Sequence, residues 1–125
     1  MISGIIICHG RLAFELVNSV GKILGQADQI FPFSNDDLTP QDLYTLVKER
    51  IAEEGIEQMY AFVDLRGGSC WRVAKMLARD YPELKIASGV NIPMLISFLS
   101  KRQQMDGEEL QKTLDTDAHR SIIFE

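Results

Sequence analysis

The seven residues Gly4-Ile5-Ile6-Ile7-Cys8-His9-Gly10 constrain the fold more than any other stretch. An unbroken apolar run passes straight into a histidine, and the backbone is released at a glycine. Such a run, rich in β-branched side chains and bounded by glycines, reads as a buried strand with an imidazole at its carboxyl tip. In an open α/β sheet the crevice outside the carboxyl ends of the strands is where ligands and chemistry collect. His9 therefore stands where a working residue is expected, and every other segment can be asked whether it serves that tip.

Strands and helices alternate along the rest of the chain. Residues 11–24 place Leu12, Leu16, Val20, Ile23 and Leu24 at spacings of three and four, the pattern of an amphipathic helix, with Gly25 as its stop. Residues 29–33 alternate weakly around Pro32 and read as a second, less central strand. Thr39-Pro40-Gln41-Asp42 supplies an N-cap, a proline at the first helical position and an acid at the third, ahead of Leu43, Leu46, Val47 and Ile51, and Gly55 closes that helix. Met59–Val63 is a third apolar strand, and it delivers Asp64 to its tip as the first delivers His9. Gly67-Gly68-Ser69 opens a helix over residues 70–80, with Val73, Leu77 and Tyr81 along one face and Pro82 ending it. A short fourth strand is expected at 84–87, followed by the turn Gly89-Val90-Asn91 and a helix over 92–101. Asp106-Gly107-Glu108-Glu109 has the form of a capping box for a last helix, and Ser121-Ile122-Ile123-Phe124 that of a short closing strand.

This alternation implies right-handed crossovers. The expected fold is α/β: a doubly wound, mostly parallel sheet of four strands plus a short C-terminal strand, with helices on both faces, in one domain over residues 1–125. At 125 residues with 46% hydrophobic content one compact core suffices, burying roughly two-thirds of the unfolded surface. The longest apolar run falls far short of the ~20 residues that cross a bilayer, and no charged-then-apolar signal segment opens the chain. A soluble, cytoplasmic chain is expected. Cys8 and Cys70 read as reduced thiols in a strand and a helix start, not as a disulfide staple. A net charge of −5 argues against a general nucleic-acid or anionic-membrane surface.

Two strands thus end in His9 and Asp64, and the second runs at once into a glycine-rich turn and a helix. If the two strands are neighbours, all three features share one crevice. A carboxylate accepting from Nδ1–H fixes the imidazole tautomer and leaves Nε2 as a neutral lone pair, which a nitrogen nucleophile needs. The amides of Gly67, Gly68, Ser69 and the first helical turn can cradle a compact anion, aided by the helix dipole. Each signal alone has an ordinary structural explanation in turn chemistry and capping, and the combination carries more than its parts.

The segments Ile7-Cys8-His9-Gly10-Arg11-Leu12-Ala13, Asp64-Leu65-Arg66-Gly67-Gly68-Ser69 and Gly89-Val90-Asn91-Ile92-Pro93-Met94-Leu95 resemble the three signature regions of the mannose-family IIA components of the bacterial sugar phosphotransferase system. They stand in the family's order and at roughly its spacing, over nearly the whole chain. The resemblance implies a phosphocarrier in which His9 accepts a phosphoryl group from the phosphohistidine carrier protein HPr and passes it to a IIB component for carbohydrate uptake. It implies that Asp64 orients His9 and that Ser69 lies at the phosphate-binding helix start. It also implies a homodimer in which a C-terminal strand joins the partner's sheet, with residues 121–124 as the counterpart. The chain would meet the membrane only through its transporter, and neither metal nor organic cofactor is implied.

The chain departs from the family pattern after the aspartate. Arg66 replaces a bulky apolar residue, and Cys70, Trp71 and Arg72 follow the serine where proline, an aromatic or small residue and asparagine are usual. Arg66 can clamp a phosphoryl group bidentately or remain a solvated loop charge. Cys70 beside two arginines can be an activated thiol or simply pack. Trp71 reads as a partner anchor or a space filler, Cys8 as core on the opposite side of its strand from His9, and His119 as a surface residue. With two histidines and no acids or thiols clustered at ligand spacing, no metal site is expected. Two other readings remain open: a regulatory binding module of the same fold that controls a partner protein, and the phosphotransfer subunit serving dihydroxyacetone kinase.

Overall fold

The computed structural model describes residues 1–125 as β1 (Ser3–Cys8), α1 (Leu12–Leu24), β2 (Ile30–Ser34), α2 (Pro40–Glu54), β3 (Met59–Val63), α3 (Ser69–Asp80), β4 (Lys85–Ser88), α4 (Ile92–Lys101) and α5 (Gly107–Arg120). The local chemistry explains the boundaries. Thr39 Oγ1 accepts from the Asp42 amide at 3.1 Å with Pro40 behind it, and Asn91 Oδ1 accepts from the Met94 amide at 2.9 Å to start α4. Each satisfies an amide that has no partner inside the helix. Helices α1 and α2 stop at Gly25 and Gly55, both left-handed, a conformation that costs a glycine nothing.

All four strands are parallel, in the order β2-β1-β3-β4. The chain leaves β1 for one side of the sheet through α1, then crosses back over β1 through α2 to build β3 and β4 on the other side. The topological switch point therefore lies between the carboxyl ends of β1 and β3. Every residue of β1 is buried, and its side chains alternate between two apolar layers. Ile6 and Cys8 pack with α1, α4 and α5; Ile5 and Ile7 pack with α2 and α3. Between them, Gly4 lets Phe62, Phe98 and Ile30 close over the strand: a Cβ at this position would lie 2.7 Å from Ile30 Cδ1 and 3.2 Å from the Phe98 ring. At the pole opposite His9, the buried Arg102 guanidinium donates to the carbonyls of Ile2, Asp28 and Gln29. It thereby ties the turn before α5 to the amino ends of β1 and β2.

Two expectations are corrected. Residues 121–124 form no strand; Ser121 turns off the end of α5, and Ile122, Ile123 and Phe124 follow it exposed. β-propensity alone does not make a strand, which needs an edge to pair with, and the tail reaches none in its own sheet. The outer edge of β4 is meanwhile unpaired, and beside it lies a groove of about 400 Å³ lined in part by Ile86, Ser88, Met94, Leu114 and His119. The capping box at Asp106 is also absent, since its side chain accepts no hydrogen bond from the helix. Gly107, the first residue of α5, has φ of +53°, the left-handed region and not the torsion of a regular first helical turn. No helix is long and apolar enough to cross a membrane.

Candidate functional site

β1 and β3 are hydrogen-bonded neighbours with Ile7 opposite Val63, so the residues leaving their tips face each other across the switch point. Asp64 gathers three donors. Its Oδ2 accepts from the His9 amide at 2.9 Å and lies 2.7 Å from Nδ1 of the same residue, and its Oδ1 accepts from the Leu65 amide at 2.9 Å. Burial alone would push this carboxyl up; the hydrogen bonds from His9, the charge of its ring and the Leu65 amide outweigh it and hold Asp64 below the usual carboxylate range. An ionised carboxylate only accepts, so Nδ1 carries the hydrogen between them and, in the neutral form of the ring, the lone pair is at Nε2. The imidazole side chain is 45% exposed and the carboxylate 12%: the ring is reachable and its anchor is not.

The lone pair faces the start of α3. Ser69 Oγ lies 3.4 Å from Nε2 and accepts from Asn35 Nδ2 at 3.4 Å, which leaves the serine hydrogen free to point at the ring. Gly67 is left-handed at φ +87°. Gly68, the residue before α3, brings no side-chain cap and sits so close to the ring that a Cβ there would touch His9 Cε1 at 3.5 Å. The first amides of α3 are thus uncapped by any side chain beside Nε2 of an exposed imidazole. That is the arrangement of a helix start able to receive a compact anion. The third segment read from the sequence frames the crevice from outside, its Val90 amide donating to the Val63 carbonyl at 3.1 Å.

The other flagged residues divide. Arg66 is exposed, with its guanidinium over the Trp71 ring at 5.9 Å, and Lys75 lies against the same ring at 5.7 Å. Trp71 itself is half-buried against the α2–α3 layer. Arg72 is exposed, as is His119, which pairs with Asp115 on the surface. Cys8 is buried on the face opposite His9, as read from strand alternation. Cys70 is not an activated thiol: burial, with the Asp64 charge adding to it, pushes it up to about 11. Cys8 is pushed up to about 12, again chiefly by burial. Although no ligands cluster along the sequence, the fold gathers His9, Asp64 and Cys70 with their donor atoms within 4.8 Å of one another. Sequence reading also passed over Asn35. Its signal was available, since it follows β2 in the polar run Ser34-Asn35-Asp36-Asp37, another strand tip on the same side of the sheet.

Comparison with known proteins agrees with this architecture. The EIIA-man model, described as PTS system fructose IIA component, matches residues 3–114. The fructose-specific EIIA component of Bacillus subtilis (strain 168) is 30% identical over 126 residues, covering 98% of this chain and 85% of the relative. The sorbose-specific EIIA component of Klebsiella pneumoniae is 22% identical over 123 residues, covering 98% and 91%. Among solved structures, the phosphotransferase system component EIIA from Streptococcus agalactiae superimposes with a TM-score of 0.90 at 22% identity over 99% of this chain and 97% of that one. With the family model spanning all but the first two residues and the last eleven, the chain belongs to the EIIA-man family of sugar phosphotransferase system IIA components.

Proposed function

We propose that this chain is a phosphocarrier that accepts a phosphoryl group on Nε2 of His9 from HPr and hands it to a IIB component of a carbohydrate transporter. It would act as one domain at the cytoplasmic side of the membrane. The observation that carries the reading is the imidazole held at Nδ1 by Asp64 at 2.7 Å with Nε2 turned toward Ser69 and the start of α3. Transfer between two phosphohistidines exchanges near-equivalent nitrogens, so positioning and charge stabilisation are what the protein must supply. Attack by Nε2 forms the new N–P bond as the donor's N–P bond breaks, and the imidazole gains positive charge that Asp64 offsets. The amides of Gly67, Gly68 and Ser69 and the Ser69 hydroxyl then receive the phosphoryl oxygens, and Arg66 adds a charge from the rim when it swings off Trp71.

The unpaired edge of β4, its neighbouring groove and the exposed apolar tail together support a homodimer in which each tail docks on the other subunit's β4 edge. Deleting residues 121–125 is then expected to convert a dimer into a monomer on size-exclusion chromatography. The carrier reading is tested by incubating the pure chain with phosphoenolpyruvate, the general phosphotransferase enzyme and HPr, followed by intact mass measurement. Wild type is expected to gain one acid-labile phosphoryl group and His9→Ala none. Labelling retained in His9→Ala would overturn the assignment.

A further inference from the structure

We propose that the floor of the His9 crevice is also an inhibitory binding site for a thiophilic divalent metal ion of the zinc class, held by Nδ1 of His9, a carboxylate oxygen of Asp64 and Sγ of Cys70. The three donors come from the tips of β1 and β3 and the first turn of α3, and no sequence spacing announces them. Cys70 Sγ lies 3.8 Å from His9 Nδ1, Asp64 Oδ2 lies 2.7 Å from the same nitrogen, and all three donor atoms fall within 4.8 Å of one another. Tetrahedral zinc, with bonds of about 2.0–2.3 Å, sets a nitrogen and a sulfur ligand about 3.6 Å apart and a nitrogen and an oxygen ligand about 3.3 Å apart. The sulfur already stands close to that separation, and the imidazole and carboxylate need to part by only about half an ångström.

The supporting shell is in place. Asp64 is oriented by the Leu65 and His9 amides, as outer hydrogen bonds orient a metal-ligating carboxylate. Mixed nitrogen, sulfur and oxygen donors suit zinc and related ions and not magnesium or calcium, which take oxygen. Cys70 is fully buried while the imidazole is nearly half exposed, so the ion enters past the His9 ring and keeps water as its fourth ligand.

The proton balance gives the inhibition. Asp64 is already ionised. On binding, the Cys70 thiol releases its proton to solvent and the imidazole proton moves from Nδ1 to Nε2, so a dication meets two anionic ligands and the site becomes neutral. Nothing is oxidised or reduced. With a hydrogen on Nε2 and the metal on Nδ1, the ring has no lone pair left to attack phosphorus. This consequence rests on His9 being the phosphoryl acceptor; the binding itself does not.

Cobalt(II) is the probe, because ligation by a thiolate produces a sulfur-to-cobalt charge-transfer band in the near ultraviolet. Titration of the full chain is expected to give that band with saturation at one equivalent and displacement by zinc. It should vanish in His9→Ala, Cys70→Ser and Cys70→Ala and persist in Cys8→Ser, with circular dichroism confirming that each variant is folded. Zinc is expected to bring wild-type phosphoryl uptake to background, reversibly on adding a chelator, while Cys70→Ser keeps its uptake with or without zinc. No band in wild type, or one that survives both Cys70 variants, overturns the site. Uptake unimpaired at saturating zinc overturns the inhibitory role. If metal-free wild type takes up no phosphate, the carrier reading fails and inhibition with it, and the cobalt band alone decides the metal site.

Discussion

Asp64→Asn separates the electrostatic role of the carboxylate from its shape. Three N–H groups converge on Asp64: the His9 amide and Nδ1–H on Oδ2, and the Leu65 amide on Oδ1. An asparagine of the same outline offers one acceptor oxygen and one NH2 group, so at least one of these donors must face another donor. The equilibrium cost of an unmet hydrogen bond to a charged group is about 1.5–3 kcal/mol. The kinetic cost has a different origin. In the proposed transfer the ring gains positive charge as Nε2 bonds to phosphorus, and a hydrogen bond to a carboxylate is roughly twice as strong as one to a neutral amide. That difference, about 1–1.5 kcal/mol, corresponds to about a 5- to 12-fold slower transfer at ~1.4 kcal/mol per tenfold. The assay is the initial rate of label transfer from phosphorylated HPr, quenched in base because the N–P bond is acid-labile, with thermal melting alongside to correct for folded fraction. Asp64→Ala, which also frees the tautomer, is expected to lose more. A folded Asp64→Asn variant that is phosphorylated at the wild-type rate would refute the argument that the carboxylate charge assists the step.

Gly4→Ala places a methyl 2.7 Å from Ile30 Cδ1 and 3.2 Å from the buried Phe98 ring; it is expected to cost about 1–3 kcal/mol, read as a lower urea midpoint at unchanged slope, and an unchanged midpoint would contradict the packing described. Acid stability follows from Asp64, held low as described, from Asp80, held low by the Tyr44 hydroxyl and Lys48, and from Asp117, held low by Lys101 and Ser97. Their folded values lie below the unfolded ~3.9, so the stabilisation is complete above about pH 4 and is lost as pH falls through the folded values. Urea titrations at descending pH should show that decline, and in Asp64→Asn the decline should be shallower. Cys8 and Cys70, pushed to about 12 and about 11, are expected to resist iodoacetamide in the native metal-free protein near pH ~8 and to alkylate once unfolded; rapid native labelling would contradict their burial.

What could be read from the sequence was whatever a few neighbouring residues decide. The β3 strand was found at its observed bounds because five apolar residues stand between polar flanks, and α2 because its N-cap, proline and closing glycine lie within one segment. His9 and Asp64 were found as strand tips, and their pairing required only that β1 and β3 be neighbours. The failures involve partners distant in sequence or a backbone torsion that residue type does not dictate. Whether 121–124 is a strand depends on an available edge, and whether Asp106 caps α5 depends on the torsion of Gly107. Cys70 meets His9 across 61 residues and Asn35 meets Ser69 across 34. The stacking of the Arg66 guanidinium over the half-buried Trp71 ring is likewise a side-chain contact that the glycine-rich turn between them does not announce.

The central position of β1 bears on how this protein tolerates change. Its six residues are buried in two layers at once and paired on both sides, so the segment carrying His9 belongs to the part of the molecule that opens last. Amide exchange along β1 should proceed only through global unfolding. The backbone that carries the His9 imidazole is then insulated from local fluctuation. A destabilising substitution elsewhere reduces how many molecules are folded at a given moment and leaves each folded molecule as competent as before.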